Sequence, residues 1–354
     1  MKKLEILRKN LKERGLDSII ILDELNQHYL SDFAFTDGLL FITMNHAELI
    51  TDFRYYEMAQ NKADKAFRVS IPEKSDEFIS SIIAEDSVKT IGFEGNSVSY
   101  NTYHRYCEKF KECEFVNIGD MIEIQRQIKS EDEIIKMQKA QDITDKAFSH
   151  ILNVLTPNMT EIDVASELEY VMRKNGASGI AFETIAVSGD ASALPHGTPR
   201  NVKLKSGFLT MDFGAKYDGY CSDMTRTVVI GKADEEIKKV YNTVLKAQLS
   251  ALDYLRENAD CGEADKIARD IIDADYKGTF GHSLGHSVGL FIHESPRLAR
   301  LAAGRKMRIN EILTVEPGIY LFGKYGCRIE DMVAVKKDGV YNFTHSTKDL
   351  IEIL

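Results

Sequence analysis

The sequence has no apolar run that approaches the roughly 18–20 residues of a membrane-spanning helix. It has only six prolines, and no proline-rich linker, low-complexity segment or sequence repeat stands out. Its five cysteines are odd in number and lack C-x-x-C spacing, which favours reduced thiols over a disulfide framework. Positive charges are outnumbered by negative ones, and the resulting net charge of −10 argues against a nucleic-acid surface. We therefore expect no membrane partner and no nucleic-acid partner.

The start of the chain indicates a cytoplasmic location. Met1-Lys-Lys-Leu-Glu-Ile-Leu-Arg-Lys carries charges where a signal peptide needs an apolar core. The length of 354 residues exceeds what one hydrophobic core usually organises, so we expect two domains.

The pattern along the chain predicts an α/β N-terminal domain over residues 1–122 and a second domain over residues 123–354. In the first, Leu4, Leu7 and Leu11 have helical spacing before Gly15. Further segments of this domain read as strands, at 18–22, 38–43, 47–51, 91–94 and 115–118. The second domain opens with a long helix that reaches about residue 155, for which Ser130-x-x-Glu133 is a capping box. Later helices are expected at about 161–175, 234–257 and 262–274.

A β-hairpin is predicted around Asp218-Gly219, a strong signal for a two-residue turn. A turn centred there pairs Asp212 with Thr225. Because side chains alternate between the faces of a strand, Asp223 then falls on the same face as Asp212, diagonally across the ladder. The hairpin therefore points two carboxylates in one direction.

A second hairpin is predicted between residues 311–321 and 325–335, with Gly323 midway between Glu316 and Glu330. The two glutamates would stand opposite each other. In either hairpin, a register slip of one residue would turn one carboxylate to the other face.

Three histidines, His282, His286 and His293, lie in a glycine-containing segment that lets the backbone and imidazoles come close to a ligand. His282 and His286 have the i, i+4 spacing of a zincin helix. However, Ser283 stands where an H-E-x-x-H motif has its glutamate, and the glycines disfavour a helix. A thermolysin-like zinc site is therefore not expected.

Each of these residues alone has a structural explanation, such as a turn aspartate or a buried core histidine. Together they form a set of four carboxylates and one imidazole beside glycine or proline, which is unusual for a solvated charged face: Asp212, Asp223, His286, Glu316 and Glu330. Bringing them together would require about four positive charges, which two divalent ions supply. Oxygen-rich ligation with one imidazole suits manganese, iron or cobalt better than a thiolate-type zinc site.

These motifs resemble the pita-bread metallopeptidases, and within them the Xaa-Pro peptidases, prolidase and aminopeptidase P. The resemblance covers essentially the whole chain, because residues 50–56 resemble the signature of the creatinase-like N-terminal domain of these enzymes. Its motifs are Leu194-Pro-His196-Gly, Met211-Asp212-Phe-Gly, Tyr220-Cys-Ser-Asp223-Met-Thr-Arg-Thr, Gly281-His282-x-x-Gly-His286-x-Val-Gly-Leu, Ile292-His293-Glu-x-Pro, Val315-Glu316-Pro-Gly and Arg328-Ile-Glu330-Asp. Ser283 and Ser287 replace glycines common in the family, which bears on substrate preference more than on activity.

The resemblance implies an α/β (α+β) fold, in which a small N-terminal domain precedes a pita-bread catalytic domain with pseudo-symmetric halves around a curved antiparallel sheet. It implies two divalent metal ions, most often Mn²⁺, with Co²⁺, Fe²⁺ or Zn²⁺ as alternatives. In the family pattern Asp223 and Glu330 bridge the ions, His286 and Glu316 bind one, and Asp212 chelates the other. The substrate would be a short proline-containing peptide, and the protein a homodimer.

The implied reaction is hydrolysis of the Xaa-Pro bond by a metal-bridging hydroxide. Glu316 is our candidate for the group that takes a proton from the water and passes it to the proline nitrogen. His196 and His293 would stabilise the oxyanion or hold the substrate, and His282 also matches a substrate-binding histidine. Thr225 and Arg328 are candidates for orienting the ligands, with an ordinary cross-strand polar pair as the alternative.

Other activities remain open. Methionine aminopeptidases share the ligands but usually lack an N-terminal domain of about 120 residues. Creatinase shares the architecture but works without this ligand set, and a non-catalytic peptide-binding member would be expected to have lost ligands. Another amide hydrolase of the same fold is a further alternative. The sequence leaves open whether the activity is that of a dipeptidase or an aminopeptidase.

Overall fold

The computed structural model describes residues 3–354 and divides into two compact units, the first ending at Arg126 and the second beginning at Gln127. Each unit has hydrophobic core residues of its own. The domain boundary at 122/123 stays a prediction. Among the described residues, no helix has the length and apolar character needed to cross a membrane.

The first unit is a mixed sheet flanked by helices. Its helices are α1 (Lys3–Glu13), α2 (Glu24–Ser31), α3 (Phe53–Lys62), α4 (Ser75–Glu85), α5 (Tyr100–Lys109) and α6 (Met121–Arg126). Its strands are β1 (Ser18–Ile21), β2 (Gly38–Thr43), β3 (Ala47–Thr51), β4 (Arg68–Ser70), β5 (Thr90–Phe93) and β6 (Glu114–Asn117). They form a six-stranded sheet in the order β4-β3-β2-β1-β5-β6. The α/β architecture expected for this part of the chain is confirmed.

Local sequence explains several elements of this unit. Leu4, Leu7 and Leu11 form the buried face of α1, as their spacing predicts. Strand β1 is buried at every position and lies inside the sheet, antiparallel to β2 and parallel to β5. Asp52 is the N-cap of α3, where its side chain accepts a hydrogen bond from the amide of Arg54.

The second unit contains the strands that carry the candidate metal ligands. Its α-helices are α7 (Glu131–Val154), α8 (Glu161–Lys174), α9 (Glu235–Tyr254) and α10 (Cys261–Tyr276), and its short 3₁₀ helices are Gly189–Ala193 and Arg300–Ala302. Its strands are β7 (Gly179–Ile180), β8 (Ile185–Ser188), β9 (Gly207–Phe213), β10 (Ala215–Tyr217), β11 (Tyr220–Cys221), β12 (Met224–Ile230), β13 (Gly285–Ser287), β14 (Glu294–Leu298), β15 (Ile312–Val315), β16 (Gly318–Leu321), β17 (Tyr325–Arg328), β18 (Asp331–Lys336), β19 (Gly339–Asn342) and β20 (Glu352–Ile353). The capping box predicted for α7 is present, with both Ser130–Glu133 hydrogen bonds.

The second unit is built from two similar halves. Helices α7 and α8 pack on β8, β9 and β12, and helices α9 and α10 pack on β14, β15 and β18. An isolated bridge stands before each inner helix, Thr160 with Lys203 before α8 and Asp260 with Lys306 before α10. The predicted pseudo-symmetric fold with a largely antiparallel sheet is therefore confirmed. The exception is β20, which pairs parallel with β12.

A buried ion cluster at Glu311 stabilises the second half. The Glu311 carboxylate is fully buried and accepts hydrogen bonds from the guanidinium groups of Arg305 and Arg308 and from the Arg308 amide. Burial by itself would raise the pKa of Glu311, but the hydrogen bonds from Arg305 and Arg308 outweigh it and lower the pKa below its usual value.

We expect Glu311→Gln to lower the free energy of unfolding by about 3 kcal/mol at pH 7, because it breaks a buried ion pair. A depressed folded-state pKa contributes stability that is complete above the unfolded-state pKa of about 4.5 and is lost as the pH falls through the folded-state pKa. The difference between wild type and variant should therefore shrink below about pH 4.5. Urea unfolding from pH 3 to pH 8 measures it. The exposed Glu263→Gln on α10 is the control, with an expected change within about 0.5 kcal/mol.

Candidate metal centre

The first hairpin with candidate ligands has the register that the sequence predicts. Strand β9 pairs antiparallel with β12, and Thr225 is opposite Asp212. The turn residues Asp218 and Gly219 have φ values of 49° and 83°, both in the left-handed region that a type I′ turn requires. Asp212 and Asp223 both line the same cavity.

The second hairpin also keeps its predicted register. Gly318 pairs with Arg328 between β16 and β17, and Val315 pairs with Asp331 between β15 and β18. Glu316 and Glu330 lie between these two ladders and therefore stand opposite each other. The connecting turn contains Gly323 with φ of 75°, where a side chain would strain the backbone.

A cavity of about 430 Å³ brings the two hairpins together with the histidine segment and with a loop before β9. The predicted site residues that line it are His196, Asp212, Asp223, His282, His286, His293, Glu316, Arg328 and Glu330. Thr225 lies behind this lining, fully buried. The volume is in the range of small-molecule sites, which fits a substrate of a few residues at most.

Four of the candidate ligands surround one point in the cavity. Asp223, His286 and Glu330 each offer a ligand atom, and these atoms lie within 4.8 Å of one another. The Nε2 atom of His286 is 3.6 Å from Oδ2 of Asp223 and 3.4 Å from Oε1 of Glu316. Asp212 comes to the cavity from the neighbouring strand β9.

His286 presents the unprotonated nitrogen that a metal ligand needs. Its Nδ1 lies 3.1 Å from the carbonyl oxygen of Ser287. A carbonyl only accepts, so Nδ1 carries the proton and Nε2 keeps its lone pair toward the carboxylates. Burial lowers the pKa of His286 to about 4, which keeps the imidazole neutral.

The carboxylates of the cavity lack matching positive charge. Burial, followed by repulsion from neighbouring carboxylates, raises the pKa of Asp223 and of Glu330 well above the usual range. Oδ1 of Asp212 is buried and has no hydrogen-bond partner among the described residues. The cavity thus offers several closely spaced carboxylate oxygens and one neutral imidazole. Because hard divalent cations prefer such donors, these residues fit divalent metal ions.

Arg328 and Thr225 hold this donor set in place. Arg328 donates from Nη2 to Oδ2 of Asp212 at 2.7 Å, and from Nε to the Thr225 hydroxyl at 3.0 Å. The hydroxyl of Thr225 in turn donates to Oε2 of Glu330 at 2.7 Å. The two residues singled out in the sequence therefore contact candidate ligands from both hairpins.

His282 differs from the other two non-ligand histidines in having both ring nitrogens engaged. Its Nδ1 donates to the carbonyl of Ser283 at 2.8 Å, and its Nε2 lies 2.9 Å from the Tyr320 hydroxyl. Because Arg328 already donates to that hydroxyl, at 2.7 Å, Tyr320 donates its own proton to Nε2. Burial lowers the pKa of His282 to about 3, consistent with a neutral ring.

His196 and His293 are exposed to the cavity. Neither forms a hydrogen bond within the described part of the chain. The His293 ring centroid lies 4.5 Å from that of His286, with the ring planes at 72°. Both imidazoles are thus free to contact a bound molecule beside the ligand cluster.

Three residues of the site escaped the sequence reasoning. Thr314 donates to Oε1 of Glu316 and accepts from the amide of His286, both at 3.1 Å. Its position two residues before Glu316, at the end of the strand that leads to it, is a usable signal. Tyr320 and Arg297 gave no comparable local signal. Arg297 lines the cavity opposite His286 in the β13–β14 ladder, and strand β14 was not predicted.

Comparisons with known proteins agree with this geometry. The model of metallopeptidase family M24 matches residues 135–337, and the creatinase/prolidase N-terminal domain matches residues 3–128. The chain is 36% identical over 351 residues to the Xaa-Pro dipeptidase of Pyrococcus horikoshii, which covers 98% of this chain and 97% of the relative. The solved structure of an Xaa-Pro dipeptidase from Bacillus anthracis is 38% identical, with a TM-score of 0.94 and 99% coverage of both chains.

An X-Pro aminopeptidase from Thermotoga maritima is similar to nearly the same degree, with a TM-score of 0.91, 35% identity and complete coverage of both chains. Relatives with both kinds of name therefore share the whole fold with this chain. With one family model spanning more than half of its residues and relatives aligned from end to end, the chain belongs to metallopeptidase family M24 and carries a creatinase/prolidase N-terminal domain.

Proposed function

We propose that the protein is an Xaa-Pro dipeptidase, which hydrolyses the bond before proline with the help of two divalent ions, Mn²⁺ in preference to Co²⁺, Fe²⁺ or Zn²⁺. The observation that carries the proposal is the meeting of four carboxylates and the Nε2 lone pair of His286 at one small cavity. Arg297, which forms no ion pair with any described residue, lies beside them. The names of the relatives, Xaa-Pro dipeptidase among them, support it.

The residues that would hold the ions are Asp212, Asp223, His286, Glu316 and Glu330. When bound, divalent ions supply Lewis-acid polarisation of a carbonyl oxygen and lower the pKa of a water molecule. The preference for manganese rests on the oxygen-rich donor set with its single imidazole.

Glu316 is the proposed proton carrier. Its carboxylate lies at the edge of the ligand group, fixed through Oε1 by the Thr314 hydroxyl. It accepts a proton from the attacking water as the oxygen–carbon bond forms. It then delivers that proton to the proline nitrogen as the carbon–nitrogen bond breaks, so that a free carboxyl group and a secondary amine leave.

His196 and His293 are the proposed contacts to the scissile carbonyl and the peptide backbone. Both line the cavity and keep their ring nitrogens available, so each can donate a hydrogen bond to oxygen that gains negative charge. His282 would contribute indirectly, because its nitrogens are bonded to Ser283 and Tyr320.

Arg297 favours a dipeptide over a longer substrate. It lines the cavity and forms no ion pair within the part of the chain that the structure describes. A dipeptide ending in proline has a carboxylate directly after the residue whose nitrogen leaves, and a guanidinium binds carboxylates well. A longer peptide would place a neutral amide there.

We expect Arg297→Gln to raise KM for Ala-Pro by about 10- to 100-fold, because a charge-assisted hydrogen bond contributes roughly 1.5–3 kcal/mol. Its kcat should stay within about threefold, since this contact is the same in the ground state and the transition state. Steady-state kinetics with Ala-Pro and with Ala-Pro amide measure the effect.

The amide lacks the carboxylate, so its slower hydrolysis should not change further in the variant. Arg300→Gln, which alters an exposed arginine three residues away and outside the cavity lining, is the matched control. An equal loss on both substrates would show that Arg297 does not recognise the carboxylate.

The proposed function is tested by Mn²⁺-dependent release of proline from Ala-Pro, measured beside release of alanine from Ala-Pro-Ala. Cleavage of Ala-Pro with little cleavage of Ala-Pro-Ala is the expected result. Preference for the tripeptide would replace the dipeptidase by an Xaa-Pro aminopeptidase. No cleavage of either by the metal-loaded protein would refute an Xaa-Pro peptidase.

The proposal includes a cytoplasmic homodimer. The location is supported by the cysteines, since Cys107, Cys113, Cys221, Cys261 and Cys327 are all free thiols. Light scattering during size-exclusion chromatography measures the mass of the assembly against the 40.0 kDa of one chain.

A further inference from the structure

One carboxylate closes a loop at the cavity. Glu161 is the first residue of α8, and its side chain is fully buried. Its Oε1 accepts from the amide and hydroxyl of Ser188 at 2.8 and 2.9 Å and from Nη2 of Arg200 at 2.7 Å. Its Oε2 accepts from the amide and Nε of Arg200 at 3.0 and 2.8 Å. Both oxygens are therefore saturated by two residues.

Those two residues are the ends of one segment, Ser188–Arg200, here called the cavity loop. It contains the 3₁₀ helix Gly189–Ala193. Residues 195–199, which follow this helix, all line the cavity. His196 lies among them. Since its ring makes no hydrogen bond within the described residues, the backbone of the cavity loop sets its position.

The contacts of Glu161 with Ser188 and Arg200, here called the clamp, include an ion pair that persists at neutral pH. Burial opposes ionisation of Glu161, but the hydrogen bonds from Arg200 and Ser188 prevail and lower the pKa of the carboxyl. The Arg200 side chain is 40% exposed, so it reaches the buried carboxylate from the surface. The Ser188 hydroxyl also accepts from the amide of Lys205, which extends the clamp beyond the loop.

The other half of the second unit has no carboxylate at the equivalent position. The amide of Glu161 donates to the Val202 carbonyl, and in the second half the amide of Cys261 donates to the Arg305 carbonyl in the same way. Cys261 is likewise the first residue of its helix. The equivalent position in the second half is thus a small thiol, although residues 292, 293 and 297 of that half also line the cavity.

We propose that Glu161 is a positioning residue, which places His196 against the substrate by tying both ends of the cavity loop to helix α8. The inference rests on the proposed function for its kinetic part. Loss of the clamp frees the loop without touching the ligand cluster, so the catalytic contact of His196 is lost while the metal-binding residues are unchanged.

The experiment compares Glu161→Gln and Arg200→Gln with the control Glu169→Gln, a residue of α8 for which the structure gives no side-chain partner. We expect kcat/KM for Ala-Pro to fall about 10- to 100-fold in Glu161→Gln, the loss typical of misplaced contacts, and less in Arg200→Gln. Metal content should equal that of wild type in all three. If Glu161→Gln fails to fold, Arg200→Gln still tests the proposal, because it removes the partly exposed partner of the same ion pair.

A double-mutant cycle with His196→Ala separates positioning from a general structural role. In the His196→Ala background, loss of the clamp should change kcat/KM by less than about threefold, because the contact it positions is already absent. A loss of the same size in both backgrounds would overturn the proposal, as would unchanged kinetics in Glu161→Gln.

Hydrogen exchange supplies a readout that does not depend on catalysis. Peptides spanning residues 188–201 should exchange faster in both clamp variants, with the control unchanged. Faster exchange in a protein that cleaves no Xaa-Pro peptide would support the clamp while refuting the proposed function. Unchanged exchange would refute the clamp itself.

Discussion

Asp223→Ala and Glu330→Ala are each expected to lose bound metal and to lower kcat/KM for Ala-Pro by about 1,000-fold or more. Both side chains offer a ligand atom to the same point, beside His286. Removing either leaves too few charged oxygens to hold two ions, and metal ions contribute several kcal/mol to stabilisation of the transition state. Metal content after dialysis and steady-state kinetics measure the two losses.

A thermal shift separates this effect from misfolding. Adding Mn²⁺ should raise the Tm of the wild-type protein, because a ligand that binds the folded state stabilises it, and should leave the Tm of either variant nearly unchanged. Without metal, each variant has one repelling carboxylate fewer in the cavity, so its Tm should not collapse. Full metal content with intact activity in either variant would refute the proposed centre.

A second acidic group provides the matched control. Asp142, Asp145 and His345 also offer ligand atoms near one another. However, Asp145 already accepts hydrogen bonds from the amides of His345 and Ser346, and Asp142 accepts from Gln138. We expect Asp142→Asn to leave metal content and activity as in wild type.

Arg226→Met is expected to lower the free energy of unfolding by roughly 3–5 kcal/mol, the cost of breaking a buried ion pair. The Arg226 side chain is 1% exposed and donates to Oδ1 of Asp331 at 2.8 Å. It also donates to the carbonyls of Thr225, Glu330, Ser346 and Thr347. Methionine fills similar space but leaves these buried acceptors without a donor. Urea unfolding measures the loss.

The same variant should weaken metal binding by about tenfold, because outer contacts orient ligands. Arg226 contacts the backbone of Glu330 and of Thr225, whose hydroxyl binds the Glu330 carboxylate. Lys232→Met, which changes an exposed cation after the same strand, should alter stability by no more than about 0.5 kcal/mol. If Arg226→Met lost little stability, Lys348 and Asn342, which also bind Asp331, would be sufficient partners for the buried carboxylate.

The parts of the site that could be predicted are those fixed by local pairing. Asp218-Gly219 determines the turn, the turn determines the register, and the register brings Asp212 and Asp223 to one face. The same reasoning places Glu316 opposite Glu330 around Gly323. Ser130 and Glu133 likewise specify the start of α7 within four residues.

The parts that could not be predicted join distant segments. Nothing in the period of a strand indicates that Arg328 of one hairpin binds Asp212 of the other, or that Tyr320 occupies a nitrogen of His282. The sequence predicts a helix that begins near Glu161 but not the contacts of its side chain, because the partners are 27 and 39 residues away. Such contacts depend on how the halves pack, which local propensity does not encode.

The separation of these contacts along the chain also sets the order of assembly. The bonds from Arg328 to Asp212 and from Thr225 to Glu330 join residues 116 and 105 positions apart. Closing loops of that size is entropically costly before other contacts compensate, so such pairings form late on a folding pathway. Each hairpin can form by itself, but neither contains a complete ligand set. A bound ion would then stabilise contacts that form only after the rest of the fold. It would therefore slow unfolding more than it speeds folding.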